Sequence, residues 1–96
     1  MYVISVKKVN DYYGNPLSED KQDWEYLGDD VGTSLSSGYP CWLSERSANI
    51  FKSVDEAKQY FEFARRYIIT PYTLNKYDWN TLAIRKRVYK KIEDLL

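Results

Sequence analysis

The stretch Ser53-Val54-Asp55-Glu56-Ala57-Lys58-Gln59-Tyr60-Phe61-Glu62-Phe63-Ala64-Arg65-Arg66-Tyr67-Ile68-Ile69 sets the architecture of this 96-residue chain. It opens on a capping box, in which the Ser53 hydroxyl accepts from a backbone N–H three residues on and the Glu56 carboxylate reaches back. Asp55 and Glu56 also complement the positive end of a helix dipole. Behind them Val54, Ala57, Phe61, Ala64 and Ile68 recur at spacings of three and four, which places them on one helical face. Tyr60 and Tyr67 flank that stripe, and Arg65 and Arg66 fall in the last turns, where cations are favoured. Thr70-Pro71 stops the run, because the residue before a proline avoids the helical region. The spacing predicts a helix over 54–69. It is too short for the sustained heptads of a coiled coil, so its stripe is expected to pack on a core.

The flanking sequence supplies a sheet for that stripe. Residues 2–9 alternate Tyr2, Ile4 and Val6 with Val3, Ser5 and Lys7, a β-rich pattern ending at Asn10-Asp11. Tyr13-Gly14-Asn15-Pro16 carries strong turn chemistry. From Leu17 to Ser37 the pattern weakens. Trp24-Glu25-Tyr26-Leu27 reads as at most a short strand, and the stretch from Gly32 to Gly38 is small and polar. Tyr39-Pro40-Cys41-Trp42-Leu43 is apolar and extended, with Pro40 confining it to an edge or a strand start. Residues 71–80 read as a loop holding Tyr72, Tyr77 and Trp79. From Thr81, Leu82, Ile84, Val88 and Ile92 fall on one parity and Arg85, Arg87, Tyr89 and Lys91 on the other, a strand to about residue 91. Residues 88–96 also suit a short helix. The expected fold is α+β, with a small antiparallel sheet of three to four strands drawn from 2–9, parts of 39–52, and 81–91. One amphipathic helix packs on one face, and residues 1–96 form a single domain.

Composition narrows the chemistry. The chain contains no histidine and one cysteine, Cys41. Ser-His-Asp and Cys-His catalysis therefore drop out, as do His-ligated and Cys-rich metal sites. Four glycines never fall in a phosphate-loop spacing. The expectation is a non-enzyme with no catalytic residue, no cofactor and no metal. The N-terminus lacks leader character and no apolar run reaches the roughly 20 residues of a membrane span, so a cytoplasmic protein without membrane contact is expected.

What remains is surface. Aromatic residues make up 17% of the chain, ten of them Tyr. Tyr and Trp serve both small cores and interfaces. Trp24, Tyr26, Tyr39, Trp42, Tyr77 and Trp79 are the candidate aromatic contact set, read as loop residues together with Tyr12, Tyr13 and Tyr72. Net charge is zero, yet Glu19, Asp20, Asp23, Glu25, Asp29 and Asp30 cluster against only Lys21. That acidic block is either a solvated face, a partner for the basic block further on, or a mimic of a phosphate track. In the basic block Arg85, Arg87 and Lys91 could bind phosphates with Tyr89 stacking, although zero net charge counts against direct nucleic-acid binding. A third possibility is a structural or assembly subunit.

The segment Ser47-Ala48-Asn49-Ile50-Phe51-Lys52-Ser53-Val54-Asp55-Glu56-Ala57, with the opening Met1-Tyr2-Val3-Ile4, resembles small accessory proteins encoded by phages and prophages of low-GC Gram-positive bacteria. Many of these pair such a strand with a stretch of the form Ala-x-x-Phe-x-Ser-x-x-Glu-Ala opening an amphipathic helix. The resemblance spans residues 2–9 and about 38–69. It implies a non-enzymatic inhibitor of host machinery, anti-CRISPR-like or otherwise anti-defence, whose partner is a host protein or protein–nucleic acid complex. The class shares no set of functional residues, so none carries over.

Overall fold

A computed structural model describes residues 1–30 and 38–87 of the chain. Its elements are β1 (Tyr2–Lys8), β2 (Asp23–Asp30), β3 (Tyr39–Leu43), α1 (Val54–Ile68) and β4 (Tyr77–Lys86), with 3₁₀ turns at Glu19–Lys21 and Glu45–Ser47. The four strands form one antiparallel sheet in the order β3-β2-β1-β4. This is the expected α+β architecture.

Alternation along each strand sorts the side chains between the two faces. Ile4 lies opposite Ile84, and Leu27 lies opposite Trp42. These residues, with Leu82, turn towards α1, whose Ala57, Ala64 and Ile68 are buried against them. Phe51 joins this core from the chain entering the helix, where it exchanges two backbone hydrogen bonds of 2.8 Å with Tyr2. Fully burying a side chain such as Ile4, Leu27 or Ile68 contributes about 1.5–3 kcal/mol. The small residues Ala57 and Ala64 let the helix approach the sheet closely.

The helix is capped as its sequence requires. The Glu56 N–H donates to Ser53 Oγ at 3.1 Å, and Glu56 Oε2 accepts from the Lys52 N–H at 3.3 Å. At the other end the Ile68 carbonyl accepts from Trp42 Nε1 at 3.1 Å and Thr73 Oγ1 at 2.9 Å. A terminal carbonyl that the helix cannot satisfy is thus taken up by the sheet and the following loop. Pro40 sits in β3, an edge strand, as expected.

Two boundaries differ from the sequence reading. β2 is an eight-residue strand rather than a short one. Its four acids suppress β propensity, but three of them, Glu25, Asp29 and Asp30, are partnered by tyrosine hydroxyls, as described below. β4 begins at Tyr77 rather than Thr81, because Tyr77 and Trp79 alternate with Asp78 and Asn80. Four residues of β4 then face one of β1 at an irregularity, where the Lys7 N–H donates to Thr81 Oγ1 at 2.8 Å. Within 39–52 the strand takes Tyr39–Leu43, as expected, and the Asn49 N–H donates to the Leu27 carbonyl at 2.9 Å while Phe51 bridges to Tyr2. The choice between strand and helix for 88–96, and the polar stretch 32–37, lie outside the described residues.

Candidate interaction surfaces

The acidic block and the tyrosine excess largely answer one another. The Tyr77 hydroxyl donates to Glu25 Oε1, and the Tyr60 hydroxyl donates to Asp29 Oδ1. Asp29 also accepts from Asn49 Nδ2 at 3.0 Å. Tyr39 hydrogen-bonds Asp30. Burial first, then the hydrogen-bonded Glu25, pushes the Tyr77 hydroxyl well above its ordinary pKa. Burial and Asp29 do the same to Tyr60, while at exposed Tyr39 the Asp30 charge is the main cause. Three of the six candidate acids thereby have tyrosine partners within the chain, Glu25 and Asp30 half-buried and Asp29 exposed. Glu19 and Asp20 sit exposed on the first 3₁₀ turn and Asp23 opens β2.

The aromatic candidates lie on strands, not in loops. Trp42, Tyr77 and Trp79 form one cluster on the helix side, with ring centroids 5.4 to 6.2 Å apart. Tyr77 is buried, and Trp79 Nε1 donates to the Leu74 carbonyl at 3.0 Å. Trp24 and Tyr26 stand two residues apart on β2 and point to the opposite face, beside Lys7 and Ser5. Tyr39 is half exposed near the end of the sheet.

Of the basic candidates, Arg85 crosses that opposite face. Its guanidinium donates to the Ser5 carbonyl at 3.0 Å, Ser5 Oγ at 2.8 Å and the Thr81 carbonyl at 2.7 Å, and lies 4.4 Å from the Trp24 ring centroid. Arg87 shares a shallow groove with Val3, Tyr26, Glu45 and Arg85. Tyr89 and Lys91 lie outside the described residues. The Cys41 thiol is pushed up, chiefly by burial and then by Asp30 and Asp29, which disfavours the thiolate that a nucleophile needs.

A further surface belongs to two loops, which the sequence flagged only through their Tyr content. In the first, Asp11 Oδ1 accepts from the N–H groups of Tyr13 and Asn15, both at 2.9 Å, and Gly14 adopts φ 83°. Such an Asx turn with a left-handed glycine fixes the loop. The second, residues 70–76, is held by Thr73, whose hydroxyl accepts from the Thr70 N–H at 2.9 Å. The loops are fastened together. The N–H groups of Val9 and Asn10 donate to the Lys76 carbonyl at 2.9 and 3.1 Å, Asn10 Nδ2 donates to the Asn75 carbonyl, and Gly14 abuts Asn75. Outward from this joined end project Tyr13 (83% exposed), Tyr72 (75%), Tyr12 (66%) and Leu74 (51%).

Comparison of the chain with family models, curated proteins and solved structures finds no match. No helix among the described residues is long and apolar enough to cross a membrane.

Proposed function

We propose that the protein is a non-enzymatic binding protein. In this reading it is a phage-encoded, anti-CRISPR-like inhibitor of a host defence or nucleic-acid-processing machine, acting by protein–protein contact. The observation that carries this reading is the joined pair of loops presenting Tyr12, Tyr13, Tyr72 and Leu74. Rigid Tyr-bearing loops give large amphipathic contact area at low entropic cost. The three exposed rings offer roughly 450 Å², taking about 200 Å² for a Tyr side chain. That is the size of a functional patch but about half of one side of a standard interface. It suits the hot centre of a larger contact. Asp11 is turned into its own loop, so the patch carries little charge and fits a protein better than a polyanion.

Mimicry of a phosphate track by the acidic block draws less support, since Glu25, Asp29 and Asp30 are tied to tyrosines. Capture from host lysate with the wild-type chain, compared with a Tyr13→Ser/Tyr72→Ser variant, tests the reading. The double variant should fold normally and lose the partner, and wild-type binding should vary little with salt. Loss of the partner instead in a Glu19→Gln/Asp20→Asn/Asp23→Asn variant would favour the acidic surface. Turnover of any substrate by the pure protein would defeat the non-enzymatic premise.

A further inference from the structure

The sheet face opposite α1 carries a second arrangement that the loop surface does not use. The Glu45–Ser47 turn packs on it at Gly28, where the Ser47 carbonyl comes too close for a Cβ. The rest of the face is built around two rings. Trp24 is 38% exposed and Tyr26 is its neighbour on the same side of β2. Charges of both signs surround them. Lys7, Arg85 and Arg87 lie towards β1 and β4, Asp23 and Arg46 line the groove beside Trp24, and Glu45 reaches both that groove and the one holding Arg85 and Arg87. Burial first, then Glu45, pushes the Tyr26 hydroxyl up, Arg85 and Arg87 pull it down, and Asp23 adds a smaller upward push.

A nucleotide complements rings with cations and an acceptor beside them. Its phosphate is anionic, its base is a flat π-surface, and the far edge of cytosine, adenine or guanine carries an amino donor. Exposed rings on a sheet bordered by cations form the recurring platform for unpaired bases. Arg85 adds pre-organisation, because three backbone and hydroxyl acceptors pin its guanidinium against the indole instead of leaving it to wander in solvent. The geometry points to this face as a binding site for single-stranded nucleic acid, with bases stacking on Trp24 and Tyr26, phosphates on Lys7, Arg85 and Arg87, and base amino groups donating to Glu45. Because Glu45 lines the grooves beside both rings, the face favours strands whose bases carry an amino group.

Fluorescence anisotropy of the full chain with labelled oligo(dC), oligo(rC) and oligo(dT) of about ten nucleotides, at about 25 mM salt, tests the site. Oligo(dC) or oligo(rC) should bind in the micromolar range and oligo(dT) several-fold more weakly. Comparison of the two cytidine probes shows whether DNA or RNA is preferred. Three phosphate contacts predict a log–log salt slope of about −2. Trp24→Ala should weaken binding at least about fivefold, the loss of one stacked base, and Trp24→Phe should restore most of it. Glu45→Gln should erase the preference for cytidine over thymidine. The site is rejected if no oligonucleotide binds at about 100 μM protein, if Trp24→Ala binds like wild type, or if duplex DNA binds as tightly as the single strand. The Tyr13→Ser/Tyr72→Ser variant should bind oligonucleotide normally, so failure here leaves the loop surface untouched.

Discussion

Replacing Tyr77 by Phe removes one oxygen and leaves the ring in place. Tyr77 is 6% exposed and its ring packs on Trp42 and Trp79, so the substitution opens no cavity. The lost contact is a hydrogen bond to a carboxylate, and Glu25 is left half-buried without that donor. Deleting the neutral partner of a charged group costs about 1–3 kcal/mol. Glu25 can recover some water, so about 1–2 kcal/mol is expected, or roughly 5–15 °C in Tm for a domain of this size. Urea unfolding followed by Trp fluorescence measures it. Tyr72→Phe, at an exposed site, should stay within about 0.5 kcal/mol. A cycle with Glu25→Gln should return a coupling of about 1 kcal/mol between the two positions.

The same pair makes a pH prediction. The hydroxyl donates only while protonated, and its folded pKa is raised above the ordinary 10. Its stabilisation is therefore complete at neutral pH and drains away as pH rises above about 10, where the unfolded chain starts to release its tyrosine protons. The gap between wild type and Tyr77→Phe should narrow over that range. A Tyr77→Phe variant as stable as wild type at pH 7, or a gap unchanged up to about pH 11, would refute the pairing.

Three other outcomes are expected. Gly28→Ala should destabilise by about 1–3 kcal/mol in urea, since its Cβ would collide with the Ser47 carbonyl oxygen and the backbone there must shift. Ser53→Ala should lower stability by about 1 kcal/mol and reduce far-UV helicity slightly, whereas Ser53→Asp should not. In an alkaline titration at the tyrosinate absorption band, Tyr26, Tyr39, Tyr60 and Tyr77 should lag the other tyrosines, and the lag should vanish in strong urea.

The helix and the first strand were legible because each signal is local. Ser53 and Glu56 sit three apart, and Tyr2, Ile4 and Val6 alternate without interruption. β2 and the start of β4 were not, for one shared reason. Asp23, Glu25, Asp29 and Asp30 are poor strand formers until Tyr39, Tyr60 and Tyr77, distant in the chain, donate to three of them. Likewise Asp78 and Asn80 look like loop residues until Tyr77 and Trp79 close on Trp42. Propensity read within a window cannot register partners 31 and 52 residues away. The contact set suffered the same way. Trp42, Tyr77 and Trp79 looked like candidates equal to Trp24, but only the fold separates rings spent on packing from rings left to solvent.

That separation argues for two faces of action. Tyr39, Tyr60 and Tyr77 spend their hydroxyls on β2 carboxylates, and so explain themselves structurally. Among the described residues Tyr12, Tyr13 and Tyr72 show no such carboxylate partner, and their loops are held by backbone bonds and by the Asp11 side chain with the rings exposed. A small domain gains little stability from exposed rings, and each is an aggregation liability unless something covers it. Trp24 is different again, for it is exposed but already carries a cation on its ring. In the proposed reading, uncharged loop anchors and a ring-bearing sheet face bordered by cations would let the protein meet a polypeptide and a nucleic-acid strand together. An inhibitor with only the first surface would block its target whether or not nucleic acid is loaded. One with both should bind the loaded machine more tightly, by whatever free energy the strand contributes on Trp24, and Trp24→Ala should reduce affinity for the loaded target while leaving affinity for the empty one unchanged.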